Sequence, residues 1–191
     1  FMLLVLILFL SNFATFYFPF SLASFIFAVF LAVFQRYFIY MPTAYTEESL
    51  QVLSKKIPIN YNLGDENQTA FYVPPKSSEQ PKCLWIMLGG NAALSLGWAD
   101  LVHRYNNEET AFLLVDYPGY GLNDGAPNIT DNIAAPTEAY NALLEQVILV
   151  RQAKPLLNVL GHSIGSSVAA AFTKSHDVNH LILLSPFTSM E

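Results

Sequence analysis

Charge is missing from the start of this chain: no Asp, Glu, Lys or Arg precedes Arg36 in its 191 residues. Basic residues are scarce throughout, nine against fifteen acidic, for a net charge of −6. No run of Lys or Arg offsets that balance, which argues against a nucleic-acid partner. There is a single cysteine, Cys83, which excludes a disulfide framework. It opens the apolar run Cys83-Leu84-Trp85-Ile86-Met87-Leu88 and reads as a buried, inert thiol. H-E-x-x-H, paired C-x-x-C and the Walker loop are all absent, so no metal and no cofactor is expected. Gly119, Gly121 and Gly125 are not spaced as a dinucleotide fingerprint. Repeats and low-complexity tracts are also missing.

What the uncharged start has instead is apolar bulk. Residues Phe1 to Phe34 are almost wholly hydrophobic. As one helix they would reach roughly 50 Å, beyond a hydrocarbon core of about 30 Å. The expectation is a membrane segment over 1–34, with one span flanked by interfacial residues or two spans turning near Pro19. A signal peptide has too short an apolar stretch to match, and a buried core helix is the other reading. Gln35, Arg36, Tyr37, Phe38 and Tyr40 look like an interfacial anchor. The expected localisation is integral to a membrane. Arg36, Lys55 and Lys56 lean towards a cytoplasmic domain but leave the side open. The sequons at Asn67 and Asn128 are as frequent as chance allows and decide nothing about the compartment.

A linker and short helix are expected over 35–56, with Thr46 capping a helix that has Glu47 and Glu48 in its first turn. Ile57–Asn62 and Thr69–Val73 read as strands about a turn at Leu63–Asn67, and Pro58 marks the first as an edge. After a polar loop at Pro74–Pro81, apolar strands alternate with helices. Cys83–Leu88, Ala111–Val115, Leu156–Leu160 and Leu181–Leu184 suit parallel strands covered on both faces. Helices are expected over Trp98–Tyr105 and from about Asn132 to Gln152. Pro136 is tolerable only near the first turn of the second, or kinks it. The alternation predicts an α/β domain over 57–191.

The most informative stretch is Gly161-His162-Ser163-Ile164-Gly165, set between Leu156–Leu160 and Ser166–Phe172. It reads as strand, sharp turn, helix. A serine there is held on a strained turn above the sheet edge. A side chain at Gly161 or Gly165 would crowd the turn or the helix behind it. The ordinary alternative is a serine in a Gly-rich loop.

Two further blocks occur in order, Leu88-Gly89-Gly90-Asn91-Ala92-Ala93 and Val115-Asp116-Tyr117-Pro118-Gly119-Tyr120-Gly121. With the first, they resemble serine hydrolases of the α/β-hydrolase fold, most of all those with an N-terminal membrane anchor. The resemblance covers about Gln35 to Glu191 and implies a mostly parallel sheet with helices on both faces, preceded by a transmembrane segment. It implies Ser163 as nucleophile, and an oxyanion hole from the backbone N–H of Asn91, with Ala92 the near alternative, and of Ile164. The family often has His-Gly where this chain has Gly89-Gly90, so any ordering role of that histidine is lost. Asp116 is separated from the nucleophile strand by another strand and suits a turn-stabilising role.

The family's order is Ser, then Asp or Glu, then His. After Ser163 come only His176 and His180, both expected at the far end of the sheet, as is Asp177. His162 neighbours the serine, where adjacent side chains point apart, and His103 lies on a helix. The start at Phe1 and the finish at Glu191 look like cuts, so the domain is expected to be C-terminally incomplete, with the base and acid beyond Glu191. The expected function is membrane-anchored hydrolysis of a small-molecule or lipid-like ester, thioester or amide through a Ser163 acyl-enzyme. As given, the chain is expected to have only residual activity. Leu94, Leu96 and Trp98 are candidates for the acyl pocket or for core packing. The alternative function is a non-catalytic binding or interaction module on the same fold, tethered to the membrane.

Overall fold

The computed structural model describes residues 21–31, 33–34, 37, 39–77, 80–148 and 154–186. Residues 1–20 of the expected membrane segment, Arg36 of its anchor, the end of the long helix at Val150 to Gln152, and Glu191 lie outside the described residues. The chain divides into two compact units, Phe1–Ile39 and Tyr40–Glu191.

In the first unit, residues 21–31 are helical and exposed, with Phe25, Ile26, Phe27 and Val33 each more than half exposed. Among the described residues, no helix is long and apolar enough to cross a membrane.

The second unit is built on a six-stranded sheet, with β1 Ile57–Leu63, β2 Glu66–Val73, β3 Cys83–Leu88, β4 Thr110–Val115, β5 Leu156–His162 and β6 His180–Leu184. The strand order is β1-β2-β4-β3-β5-β6. β1 pairs with β2, and β2 with β4, antiparallel. The other three pairings are parallel. The β1–β2 hairpin closes with Leu63 opposite Glu66. Its two turn residues include Gly64 at φ +60°, a backbone that glycine adopts without strain. Pro58 sits on the outer strand, as its missing N–H requires.

The helices are α1 Glu47–Leu53, α2 Ala99–Tyr105, α3 Ile129–Leu143 and α4 Ile164–Phe172. A 3-10 turn at Ser95–Trp98 leads into α2, and one wider turn, Leu144–Ile148, extends α3. Alternate residues of the central strands feed two cores. Leu84, Ile86, Leu88, Leu113 and Val159 join Ala135, Leu143, Val168 and Phe172 from α3 and α4. Met87, Phe112, Leu114 and Leu160 meet Leu53 of α1 and Val102 of α2. Both faces of the sheet are therefore covered, as the apolar strands require. Burying either set stabilises the fold by about 25 cal/mol for each Å² of apolar surface removed from water.

Beyond strand limits that shift by up to three residues, the start of α3 and the burial of Cys83 differ from expectation. α3 begins three residues before Asn132, because the Asn128 side chain accepts the Asp131 N–H at 2.9 Å and caps it. Pro136 consequently falls inside the helix rather than in its first turn. Cys83 is half-buried rather than fully buried.

Candidate active site

Ser163 stands where β5 ends and α4 begins, with φ 52° and ψ −116°. Few residues with a side chain adopt that backbone, and its cost is met by the structure around it. The Ser163 N–H donates to the Leu184 carbonyl at the end of β6, 2.9 Å away. The Ser163 carbonyl accepts both the N–H and the hydroxyl of Ser166 in the first turn of α4. The chain is thus pinned on both sides of the serine, whose side chain is half-buried.

The flanking glycines are there for space. A Cβ on Gly161 would lie 2.2 Å from the Gly165 carbonyl oxygen and 2.8 Å from Ala169 Cβ. A Cβ on Gly165 would lie 2.5 Å from the Leu88 carbonyl oxygen. These are backbone atoms that cannot swing aside, so α4 approaches β3 and β5 only because both positions lack side chains. Gly90 faces the serine in the same way, since a Cβ there would be 3.2 Å from Ser163 Cβ and 2.9 Å from His162 Nδ1.

The loop after β3 therefore lies directly beside Ser163. Ile164 is the first residue of α4, and the N–H groups of a helix's first turn have no partner within the helix. Ala92, at φ 56°, turns the β3 loop. Its N–H donates to Asn91 Oδ1 at 3.1 Å, so the alternative oxyanion donor is engaged by its neighbour. Asn91 Oδ1 also accepts the Tyr120 hydroxyl at 2.8 Å and the Met41 N–H at 2.9 Å. The Asn91 side chain is thus a hub, which its sequence position did not disclose.

Asp116 follows β4, with β3 between it and β5, about 10 Å from the strand that precedes Ser163 at ordinary strand spacing. It accepts the Ser95 N–H on Oδ1 at 2.6 Å, and the Tyr45 and Ser95 hydroxyls on Oδ2 at 2.5 and 3.1 Å. Burial pushes its pKa up to about 6, against those hydrogen bonds, which hold it down. The expected turn-stabilising role is what the geometry displays. The partnership with Tyr45, 71 residues away, carried no local signal.

His180 pairs with Asn158 at the start of β5, about 16 Å along the strand from the serine. His176 stacks on Phe172 with ring centres 3.9 Å apart, beyond the elbow at the far end of α4. Neither is brought to Ser163. Leu94 packs against the α3–α4 core, and Leu96 and Trp98 against the opposite one. Among the described residues, no group of acidic, histidine or cysteine side chains could hold a metal ion.

Among the described residues, those other than glycine with positive φ are Ala92, Ser163 and Ser185. They follow β3, β5 and β6, all at the carboxyl end of the parallel strands. Strain collected at one end of a sheet is a mark of a functional edge.

The same fold recurs in known proteins. An α/β hydrolase from Vibrio vulnificus superposes with TM-score 0.57 at 18% identity, over 72% of this chain and 50% of that one. An esterase from Pyrococcus furiosus superposes with TM-score 0.56 at 16% identity, over 73% and 53%. These likenesses speak for the fold. An uncharacterized protein of Mycobacterium tuberculosis is 29% identical over 161 residues, 82% of this chain and 55% of that protein. The chain thus spans about half the length of the curated relatives it matches. The model of the family described as serine aminopeptidase, S33, matches residues 79–191, well over half of the chain and both glycine-flanked loops at the sheet edge. The chain belongs to that family of α/β-fold hydrolases.

Proposed function

We propose that this chain carries the nucleophile and oxyanion loop of a membrane-anchored serine hydrolase that cleaves an ester, thioester or amide through an acyl-enzyme on Ser163. The observation that carries this reading is the strained Ser163 backbone at a strand-to-helix turn whose glycines admit no side chain. In that reading the Ser163 hydroxyl attacks the substrate carbonyl and the leaving group departs with a proton supplied by the base. Water then releases the acid. The N–H groups of Asn91 and Ile164 stabilise the oxyanion, which is commonly worth about 3–4 kcal/mol per donor.

A serine hydroxyl needs a base, and the base needs an orienting acid. The reading assigns both to polypeptide beyond Glu191. The anchor rests on the uncharged run Phe1 to Phe34, and on the outward-facing Phe25, Phe27 and Val33 of the first unit. Tethering at a bilayer favours lipid-like acyl substrates. The family membership supports hydrolysis, and the esterase likeness adds small acyl esters to the candidates.

The test is turnover of short- and long-chain acyl p-nitrophenyl esters and acyl thioesters by the full-length protein in detergent or vesicles. Ser163→Ala should lower kcat/KM by at least about 10³-fold. Turnover that survives the substitution overturns the assignment.

A further inference from the structure

The segment that precedes α1 runs across the back of the oxyanion loop. Tyr40 is buried in the α3–α4 core. The Met41 N–H donates to Asn91 Oδ1 and to the Tyr120 hydroxyl oxygen, at 2.9 and 3.2 Å. Thr43 Oγ1 donates to the Ala92 carbonyl at 3.4 Å, and the Thr43 carbonyl accepts the Gly121 N–H at 2.8 Å. Ala44 makes a parallel bridge to Gly121. Tyr45 then reaches Asp116 and Ser95 with its hydroxyl. Gly121, at φ +65°, has no room for a side chain because Tyr45 Cε2 and Asp116 Oδ2 would lie 2.7 and 2.8 Å from its Cβ.

The β3 loop is therefore held from two sides. Gly90 faces Ser163, while Asn91 and Ser95 are fastened to the 40–45 segment and to the turn after β4. We propose that residues 40–45 are a strap that positions the oxyanion loop, with Asn91 Oδ1 and the Asp116 carboxylate as its two fastenings. Asn91, Tyr120, Tyr45 and Asp116 are positioning residues that act through the backbone N–H groups of the loop. The catalytic part of this proposal rests on the acyl-enzyme reading above. The strap itself does not. An oxyanion donor is useful only when fixed before the charge develops. A loop turning through Ala92 at positive φ needs outside contacts to stay so fixed.

The test compares wild type with the Tyr45→Phe/Tyr120→Phe double variant in the full-length protein. The two hydroxyls are lost and the rings kept. Hydrogen exchange should quicken about tenfold at the amides of Ala92, Ala93 and Ser95, with the β3 and β4 amides unchanged. The maximal rate of phosphonylation by a fluorophosphonate should fall about tenfold, with little change in the half-saturating concentration. Unchanged exchange at the loop overturns the strap. Faster exchange with unchanged phosphonylation overturns its catalytic role. A wild-type protein that never labels sinks the acyl-enzyme reading instead, and the exchange comparison still decides the strap.

Discussion

Single atoms govern the elbow. The Cβ that Gly161→Ala would add meets a carbonyl oxygen at 2.2 Å, so α4 must lift from the sheet. We expect a loss of about 1–3 kcal/mol or more, read as a fall of about 2–4 °C in Tm per kcal/mol. An unchanged melting curve would show that the helix is not seated as described. Asp116 gives a second, signed expectation. Its carboxyl titrates near 6 in the fold against an ordinary 3.8, so the folded state binds the proton more tightly than the unfolded one. Its contribution is most favourable below about pH 4 and is lost as pH rises through 6. Asp116→Asn can still accept the Ser95 N–H and removes that titration. The wild-type minus variant difference in Tm should decline between pH 4 and 6, and a flat difference contradicts the buried carboxylate. Ser163, Gly161 and Gly165 were legible in the sequence because their signal is local. Tyr45, Ser95 and the Asn91 side chain were not, since their partners lie 21 to 71 residues away.

At the scale of elements, periodicity did most of the work. Apolar runs marked all four parallel strands; the structure keeps the limits of Cys83–Leu88 and extends the other three by one or two residues. The helix boundaries were harder. The body of α3 was expected from about Asn132 onward, but its start at Ile129 depends on one side-chain cap. Asn128 accepts the Asp131 N–H and donates to its carboxylate at 2.6 Å. Asn128→Ala should cost about 1 kcal/mol, measurable by chemical denaturation, while Asn128→Ser should recover most of it. Equal stability of all three would mean that the cap does not set the helix. The strap was invisible for another reason. It has no regular structure of its own; Met41 and Thr43 use backbone groups that any residue could supply, and the Tyr45 hydroxyl finds its partner 71 residues away.

On the scale of the molecule, the carboxyl edge of the parallel strands gathers Ser163 and the loop after β3. The elbow and the end of β6 meet there through the Ser163 N–H to Leu184 bond, and the β3 loop meets the elbow where Gly90 faces Ser163. The fold class was readable from alternating strands and helices together with the glycine-flanked serine. The membrane segment over 1–34 was an expectation from composition alone. Its first 20 residues lie outside the described structure, and its role stands as part of the proposal. The central claim is that Ser163 is the nucleophile. Its most direct test is to treat the full-length protein with a fluorophosphonate, digest it, and locate the adduct by mass spectrometry. The account predicts one phosphonyl adduct, on the peptide containing Ser163, and none in Ser163→Ala. An adduct on another residue, or labelling that persists in Ser163→Ala, would contradict it.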